Sequence, residues 1–136
     1  MKNVCMGDKN KRIIFVSKTY PGKEHDKTIF LNEKLWKFLP EKLKKLFDNG
    51  FEGLDKDCPL MENLIKPTKR KRGQKYLSKT VSEKNRRISK KRVLIENAFA
   101  GVKRLKITWD VFRNIKPKFS DKVFWVACGI WNFHLS

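Results

Sequence analysis

Hydrophobic residues recur with a helical period in residues 85–103, the longest patterned stretch of the chain. Four of them fall at intervals of seven, four and three, the spacing of one buried helix face: Ile88, Ile95, Phe99 and Val102. A polar stripe lies about 70° around the same helix and comprises Asn85, Arg92, Glu96 and Lys103. The pattern predicts a helix packed on a core, with the acid Glu96 held beside cations at the edge of its buried face.

The rest of the chain alternates short β-branched or aromatic runs with amphipathic stretches. These patterns predict strands at residues 4–6, 12–17, 43–47 and 63–66, the first two forming a hairpin. They predict helices at residues 26–39, capped by Asp26, at 54–61 and at 120–134, and a cap for the long helix at Ser78 or Ser82. Strands that alternate with helices indicate an α/β layer architecture.

The charge of the chain gives the strongest indication of its partners. The chain has 33 Lys and Arg against 14 acids, a net charge of +19 in 136 residues. Thirteen of the 27 residues from 66 to 92 are Lys or Arg, and residues 67–80 have no hydrophobic period, which predicts a mobile basic loop. Such an excess attracts polyanions, so nucleic acid is the first candidate partner and an anionic membrane surface the second.

Other classes are disfavoured by composition. Three dispersed cysteines argue against a disulfide scaffold and fit a reducing compartment. Two histidines are too few for a zinc site. The longest apolar run, residues 123–131, is less than half a membrane span, and the N-terminus lacks the apolar region of a signal peptide. We therefore expect a cytoplasmic, nucleoid-associated protein.

Four features could carry chemistry, and each has a simpler interpretation. Asp48 ends a predicted strand, where functional side chains collect in α/β sheets, but it could also bond its own turn. Glu96 could pair with Arg92 four residues before it. His25 and Asp26 could form a catalytic or metal pair, although a helix cap is favoured. Two aromatic residues could stack bases or pack in the core: Trp109 and Phe112.

These segments together resemble a known family. Four segments resemble DDE superfamily transposases of bacterial insertion sequences, in the Harbinger-related branch: DNGFEG at 48–53, LIKPTKRKRGQKYLS at 64–78, N-x-x-ISKKRVLIENAFAGVK at 85–103 and WNFHL at 131–135. GKEHD at 22–26 resembles the segment before that family's first long helix. The spacing from Arg92 through Glu96 to Lys103 matches the signature around the catalytic glutamate. Ser89 stands where related transposases carry a tyrosine.

The resemblance implies a ribonuclease-H-like mixed sheet with flanking helices, formed by residues 1–136 as one partial catalytic domain. It implies DNA cleavage and strand transfer at element ends, with two Mg²⁺ (or Mn²⁺) ions held by carboxylates. Asp48 matches the family's second aspartate and Glu96 its glutamate, as catalytic residues and metal ligands. The expected DNA contacts are Arg92, Lys103, Asn85, Lys69, Arg70, Lys71 and Arg72.

One departure limits this expectation. The family's first aspartate lies on a strand upstream of the segment that opens this chain, so we expect an N-terminally truncated domain that lacks its first strand. Such a chain is expected to be inactive alone, with an N-terminal transposase piece acting in trans and a homodimer as further candidate partners. The alternative is a small basic nucleic-acid-binding protein, of ribosomal or nucleoid type, without catalysis.

Overall fold

A computed structural model describes residues 1–108, 110 and 116–136. The chain forms two compact units. The terminal unit comprises Met1–Glu24 and Val93–Ser136, and the central unit comprises His25–Arg92. Trp109 and Phe112, considered above for base stacking, lie outside the described residues.

The central unit combines short helices with a two-stranded parallel sheet. It contains α1 (Asp26–Asn32), a 3₁₀ helix (Leu35–Phe38), β3 (Lys45–Leu46), a second 3₁₀ helix (Asn49–Phe51), α2 (Leu54–Asp57) and β4 (Leu64–Ile65). Lys45 lies opposite Leu64 in the sheet, and Leu46 lies opposite Ile65. Residues 66–78 have no helix or strand and lead into α3 (Lys79–Lys103), which continues into the terminal unit.

An aromatic cluster fixes the turn that follows β3. The ring of Phe30 packs edge-on against Phe47 and Phe51, with centroid distances of 5.4 and 5.8 Å. Such edge contacts add about 0.5–1.5 kcal/mol to the burial of the rings. Three further side chains in this core are completely buried: Ile29, Leu35 and Leu54. Asp48 therefore lies between two phenylalanines that are anchored in the core.

The terminal unit packs a hairpin and two helices. Its elements are β1 (Cys5–Gly7), β2 (Ile13–Val16), the last part of α3, a 3₁₀ helix (Lys106–Thr108) and α4 (Phe119–His134). The two strands are antiparallel, with Cys5 opposite Val16. The core consists of Ile13, Ala98, Val102, Ala127 and Cys128.

The end of α4 holds the hairpin through its backbone. Asn132 accepts a hydrogen bond from the Ile13 amide and donates one to the Ile13 carbonyl, both at 2.8 Å. Trp131 donates from Nε1 to the Lys11 carbonyl at 2.9 Å. At the other end of α4, Asp121 accepts a hydrogen bond from the Thr19 amide at 2.6 Å. The WNFHL segment thus has a structural role, because it completes the hydrogen bonding of β2.

The α/β class, the hairpin and the last helix are confirmed. The two sheets have two strands each, and the ribonuclease-H-like topology stays a prediction. The long helix begins at Lys79, and Ser78 accepts a 3.4 Å hydrogen bond from the Val81 amide, so the Ser78 cap is confirmed and Ser82 lies inside the helix. No helix among the described residues is long and apolar enough to cross a bilayer.

Three local predictions are wrong. His25, not Asp26, occupies the cap position of α1, and the predicted helix 26–39 breaks at Lys34, whose φ of 51° is left-handed. On α3, Ile88 and Val102 are buried as predicted, but Ile95 and Phe99 are only partly buried and Ala98 is completely buried. The hydrophobic pattern misplaced the centre of the buried face, because the alanine at 98 carries little hydrophobic signal. A residue this small nevertheless permits the closest approach of another element to the helix.

Candidate functional site

Asp48 combines the two roles considered for it. It follows β3 by two residues, at the carboxyl end of the strand. Its Oδ1 accepts a hydrogen bond from the Asn49 amide at 2.6 Å and caps the 3₁₀ helix Asn49–Phe51. The side chain remains 55% exposed. The turn bond therefore orients the carboxylate without removing it from solvent.

Arg92 reaches the same carboxylate from α3. Its Nη1 donates to Asp48 Oδ1 at 2.5 Å, across 44 residues of sequence. The Arg92 side chain is 34% exposed, and ion pairs this open to water contribute only about 0–1 kcal/mol to stability. The contact therefore matters more for the orientation of the two groups than for folding.

Glu96 and Lys103 belong to the terminal unit. Both side chains are exposed on α3, and Lys103 occupies the last turn, where a cation complements the negative end of the helix dipole. Lys103 also lines a cavity of about 390 Å³ in this unit, together with Phe99 and Phe124. Because Asp48 belongs to the central unit, its convergence with Glu96 stays a prediction.

Asn85 is used within the protein. Its amide accepts a hydrogen bond from the Thr68 backbone amide and donates one to the Thr68 carbonyl, both at 2.9 Å. These two bonds attach the start of the basic segment to α3. Asn85 was expected to contact DNA, and its described contacts instead position the segment that carries the next four candidate residues.

The four basic candidates in residues 69–72 have different surroundings. Lys69 forms an ion pair with Glu52 at 2.5 Å, and Arg70 donates to the Lys75 carbonyl at 3.2 Å. The Lys71 amide donates to Gln74 Oε1 at 3.2 Å. All four side chains are exposed, and Arg72 precedes a glycine with φ of 85°. The turn at Gly73 therefore directs the segment back toward α3.

Two acids next to this segment have lowered pKa values. The hydrogen bond from Lys69 holds the pKa of Glu52 below its ordinary value. An ion pair with Lys66 likewise lowers the pKa of Asp55. Both acids consequently remain ionised further into the acid range, and each neutralises one cation of the basic region.

Asp26 lies closer to the Asp48 turn than the sequence indicated. A Cβ added to Gly50 would lie 3.4 Å from Asp26 Oδ2, so this carboxylate lies beside the turn. His25 makes no side-chain capping bond and is exposed. The position of Asp26 in the GKEHD segment was the sequence signal that it lies near the site. The interpretation of Asp26 as a helix cap did not use this signal.

The chemistry of the donors suits a hard cation, although the set is incomplete. Asp48 and Glu96 offer exposed carboxylate oxygens, the ligands that Mg²⁺ and Mn²⁺ prefer. Within the described residues, no group of three or more His, Cys, Asp or Glu side chains could hold a metal ion. A two-ion centre would therefore need a further ligand.

Comparison with known proteins decides the family. A family model described as "DDE superfamily endonuclease" matches residues 1–132. The chain belongs to this family of DDE transposases. It is 31% identical over 115 residues to a protein of Microchaete diplosiphon named "Probable transposase for insertion sequence element IS702". No solved structure matches the chain.

The extent of the match differs between the two proteins. The aligned region covers 85% of this DDE-family chain but 39% of the Microchaete relative. The chain thus spans about two fifths of the length of the curated relative that it matches.

Proposed function

We propose that this chain contributes to the catalytic domain of a transposase that cleaves DNA at the ends of an insertion sequence and joins those ends to a target. Asp48 and Glu96 are its acidic ligands for divalent metal, and Arg92 and Lys103 contact phosphates beside them. The catalytic domain has a ribonuclease-H-like fold, and DNA is its partner. A second copy of the chain is a further partner to test.

The observation that carries the proposal is the hydrogen bond from Arg92 to Asp48. The two residues come from separate segments that resemble the family independently, one at a strand end and one in the long helix. The resemblance gives this pair a role in catalysis, whereas the alternative of a basic protein without catalysis makes no prediction that Asp48 and Arg92 meet. In a DDE enzyme, the same contact keeps the carboxylate correctly oriented before metal and DNA arrive.

Divalent metal would supply Lewis-acid stabilisation of the attacking and leaving oxygens. Asp48 is prepared for a ligand, because its two hydrogen bonds use Oδ1 and, within the described residues, Oδ2 accepts none. Arg92 can leave Asp48 at little energetic cost, since the pair is open to solvent. Its guanidinium then offers two donors to a DNA phosphate.

The resemblance assigns no ligand role to Asp26, although its carboxylate lies beside the Asp48 turn. Two carboxylates hold two divalent ions poorly, so we propose that the third is supplied by a further transposase piece. We therefore expect the isolated chain to bind metal weakly and to leave DNA uncut. Added polypeptide that carries the family's first aspartate should restore cleavage.

Metal binding tests the ligand assignment without depending on cleavage. Titration of the chain with Mn²⁺, followed by electron paramagnetic resonance, should show binding that Asp48→Asn and Glu96→Gln each weaken at least tenfold. Asp55→Asn is the matched control for Asp48, because Asp55 is also an exposed acid paired with a cation. Glu83→Gln is the control for Glu96, because Glu83 is an exposed acid of the same helix.

Equal losses in the controls would mean that Mn²⁺ binds only through general negative charge, and the proposed centre would be wrong. Mn²⁺ binding that neither Asp48→Asn nor Glu96→Gln affects would favour the simpler alternative, a nucleic-acid-binding protein without catalysis.

A further inference from the structure

The central unit contains a groove of about 430 Å³ whose lining includes none of Asp48, Arg92 and Glu96. Its floor is aliphatic and is formed by side chains of β3, β4 and α3: Leu46, Leu64, Ile65 and Ile88. Its rim is cationic: Lys44, Lys66, Lys84, Arg87 and Lys91. No acid lines it, so a cationic ligand is excluded and an anion with apolar surface is favoured.

Most of the rim charge is not neutralised by the protein. Lys66 pairs with Asp55. In the part of the chain that the structure describes, the other four cations form no ion pair and no side-chain hydrogen bond: Lys44, Lys84, Arg87 and Lys91. Neighbouring cations of the same unit are paired, as Lys27 is with Asp57 at 2.8 Å. Four unneutralised charges on one exposed surface create a positive potential that attracts an anionic ligand.

The spacing of the rim fits a polymer with regular charges. Lys84, Arg87 and Lys91 recur after three and four residues and therefore share one face of α3. With a rise of 1.5 Å per residue, they span about 10 Å of the helix. A strand that keeps the stacked spacing of about 3.4 Å per phosphate would place about three phosphates along this row. Lys44 and Lys66 belong to the other side of the groove, where Lys44 directly precedes β3 and Lys66 directly follows β4.

The floor distinguishes a single strand from a duplex. A duplex presents its phosphates outward and keeps its base faces stacked inside, so those faces are not available to Leu64 and Ile65. An unpaired strand exposes sugars and base faces next to its phosphates. We propose that this groove binds an unpaired DNA strand of about three nucleotides, with phosphates on the cationic rim and sugars or bases on the aliphatic floor.

This inference rests on the proposed function for the identity of its ligand, but its test does not use the metal ligands. Binding of fluorescein-labelled oligo(dT) of 12 nucleotides and of a 12-base-pair duplex should be followed by anisotropy. The groove variant is Lys84→Gln/Arg87→Gln/Lys91→Gln. The matched control is Lys79→Gln/Arg86→Gln/Lys90→Gln, which removes the same number of charges from a face about 110° around the same helix.

We expect the groove variant to bind oligo(dT) at least tenfold more weakly than the control variant does. The slope of log affinity against log salt should fall by about 2, because three phosphate contacts at about 0.7 each are lost. Duplex affinity should fall equally in the two variants. Ile65→Ser, which makes the floor polar, should weaken oligo(dT) binding more than duplex binding, with circular dichroism showing that the fold is retained.

Equal loss of oligo(dT) affinity in the groove and control variants would overturn the proposal, as would a preferential loss of duplex. Displacement of oligo(dT) by an amphipathic Glu/Leu peptide at lower concentration than unlabelled oligo(dT) would also overturn it, in favour of an acidic protein partner.

The Mn²⁺ titration separates the two proposals. If the groove and control variants both retain Mn²⁺ binding but lose the same oligo(dT) affinity, the groove proposal alone is rejected. If Asp48→Asn and Glu96→Gln leave Mn²⁺ binding unchanged while the groove variant loses more oligo(dT) affinity than its control, the transposase proposal alone is rejected.

Discussion

At the scale of single residues, two asparagines show how polar side chains replace missing backbone partners. Asn132 bonds both backbone groups of Ile13, and Asn85 bonds both backbone groups of Thr68. Each amide supplies one donor and one acceptor at the spacing of a neighbouring strand. Both asparagines lie in segments that resemble the transposase family, which shows that a family motif can contain residues whose main contacts are structural.

Two glycines give a matched test of packing in the terminal unit. A Cβ on Gly101 would lie 2.0 Å from the Trp131 ring, whereas a Cβ on Gly129 would meet nothing within 4 Å. We expect Gly101→Ala to reduce the free energy of unfolding by about 1–3 kcal/mol, through overpacking between α3 and α4. Gly129→Ala should instead increase it by about 0.5–1 kcal/mol, because alanine restricts the unfolded chain and favours the helix. Urea denaturation measures both, and equal effects would mean that α3 and α4 are not in close contact at Gly101.

At the scale of elements, the basic segment (residues 66–78) is attached to the rest of the central unit at three points. Asn85 holds Thr68, Glu52 holds Lys69, and Asp55 holds Lys66. The two acids are exposed, so these ion pairs are weak tethers that a phosphate could displace. The element therefore combines a defined start with side chains that remain free to change partner.

Replacing Glu52 should weaken the attachment of the basic segment and remove the ion-pair partner of Lys69. We expect Glu52→Gln to lower the hydrogen-exchange protection of the Thr68 amide and to increase DNA affinity at neutral pH. Glu62→Gln is the matched control, because it removes one exposed acid of the same unit. If both variants gain affinity equally, net charge alone is responsible and the Lys69 contact has no separate effect.

The same tether has a defined pH dependence. Since Lys69 lowers the pKa of Glu52 in the folded protein, the stabilisation is present at neutral pH, above the unfolded-state pKa. It is lost as the pH falls through the folded-state value. The difference in Thr68 protection between wild type and Glu52→Gln should therefore disappear in acid. A difference that persists below the folded-state pKa would contradict this role of the ion pair.

At the scale of the whole molecule, charge dominates. With a net charge of +19, we expect the proposed association with DNA to be strongly electrostatic. If six to ten phosphates are contacted, affinity should fall by about 10³–10⁵ between 50 and 200 mM salt. Anisotropy titrations with a duplex over this range measure the slope. A slope near zero would mean that the basic residues do not contact phosphates.

Much of the fold followed from residue patterns. The hairpin, the strands near 45 and 64, the long helix and the last helix were predicted because their periodicities are local properties. The break at Lys34 was not predicted, because a left-handed lysine in an amphipathic stretch leaves no compositional signal. The complete burial of Ala98 was not predicted either, because the pattern centred the buried face of the long helix on larger residues.

The sequence by itself determined the charge, the order of the elements, and the segments whose resemblance identified Asp48, Arg92 and Glu96. Tertiary structure decided which partners these side chains have. It placed Arg92 on Asp48, used Asn85 to hold Thr68, and left the cations at 84, 87 and 91 unneutralised beside an aliphatic floor. The physical reason is that periodicity depends on neighbours within a few residues, whereas an ion pair or a groove depends on which distant segments the core brings together.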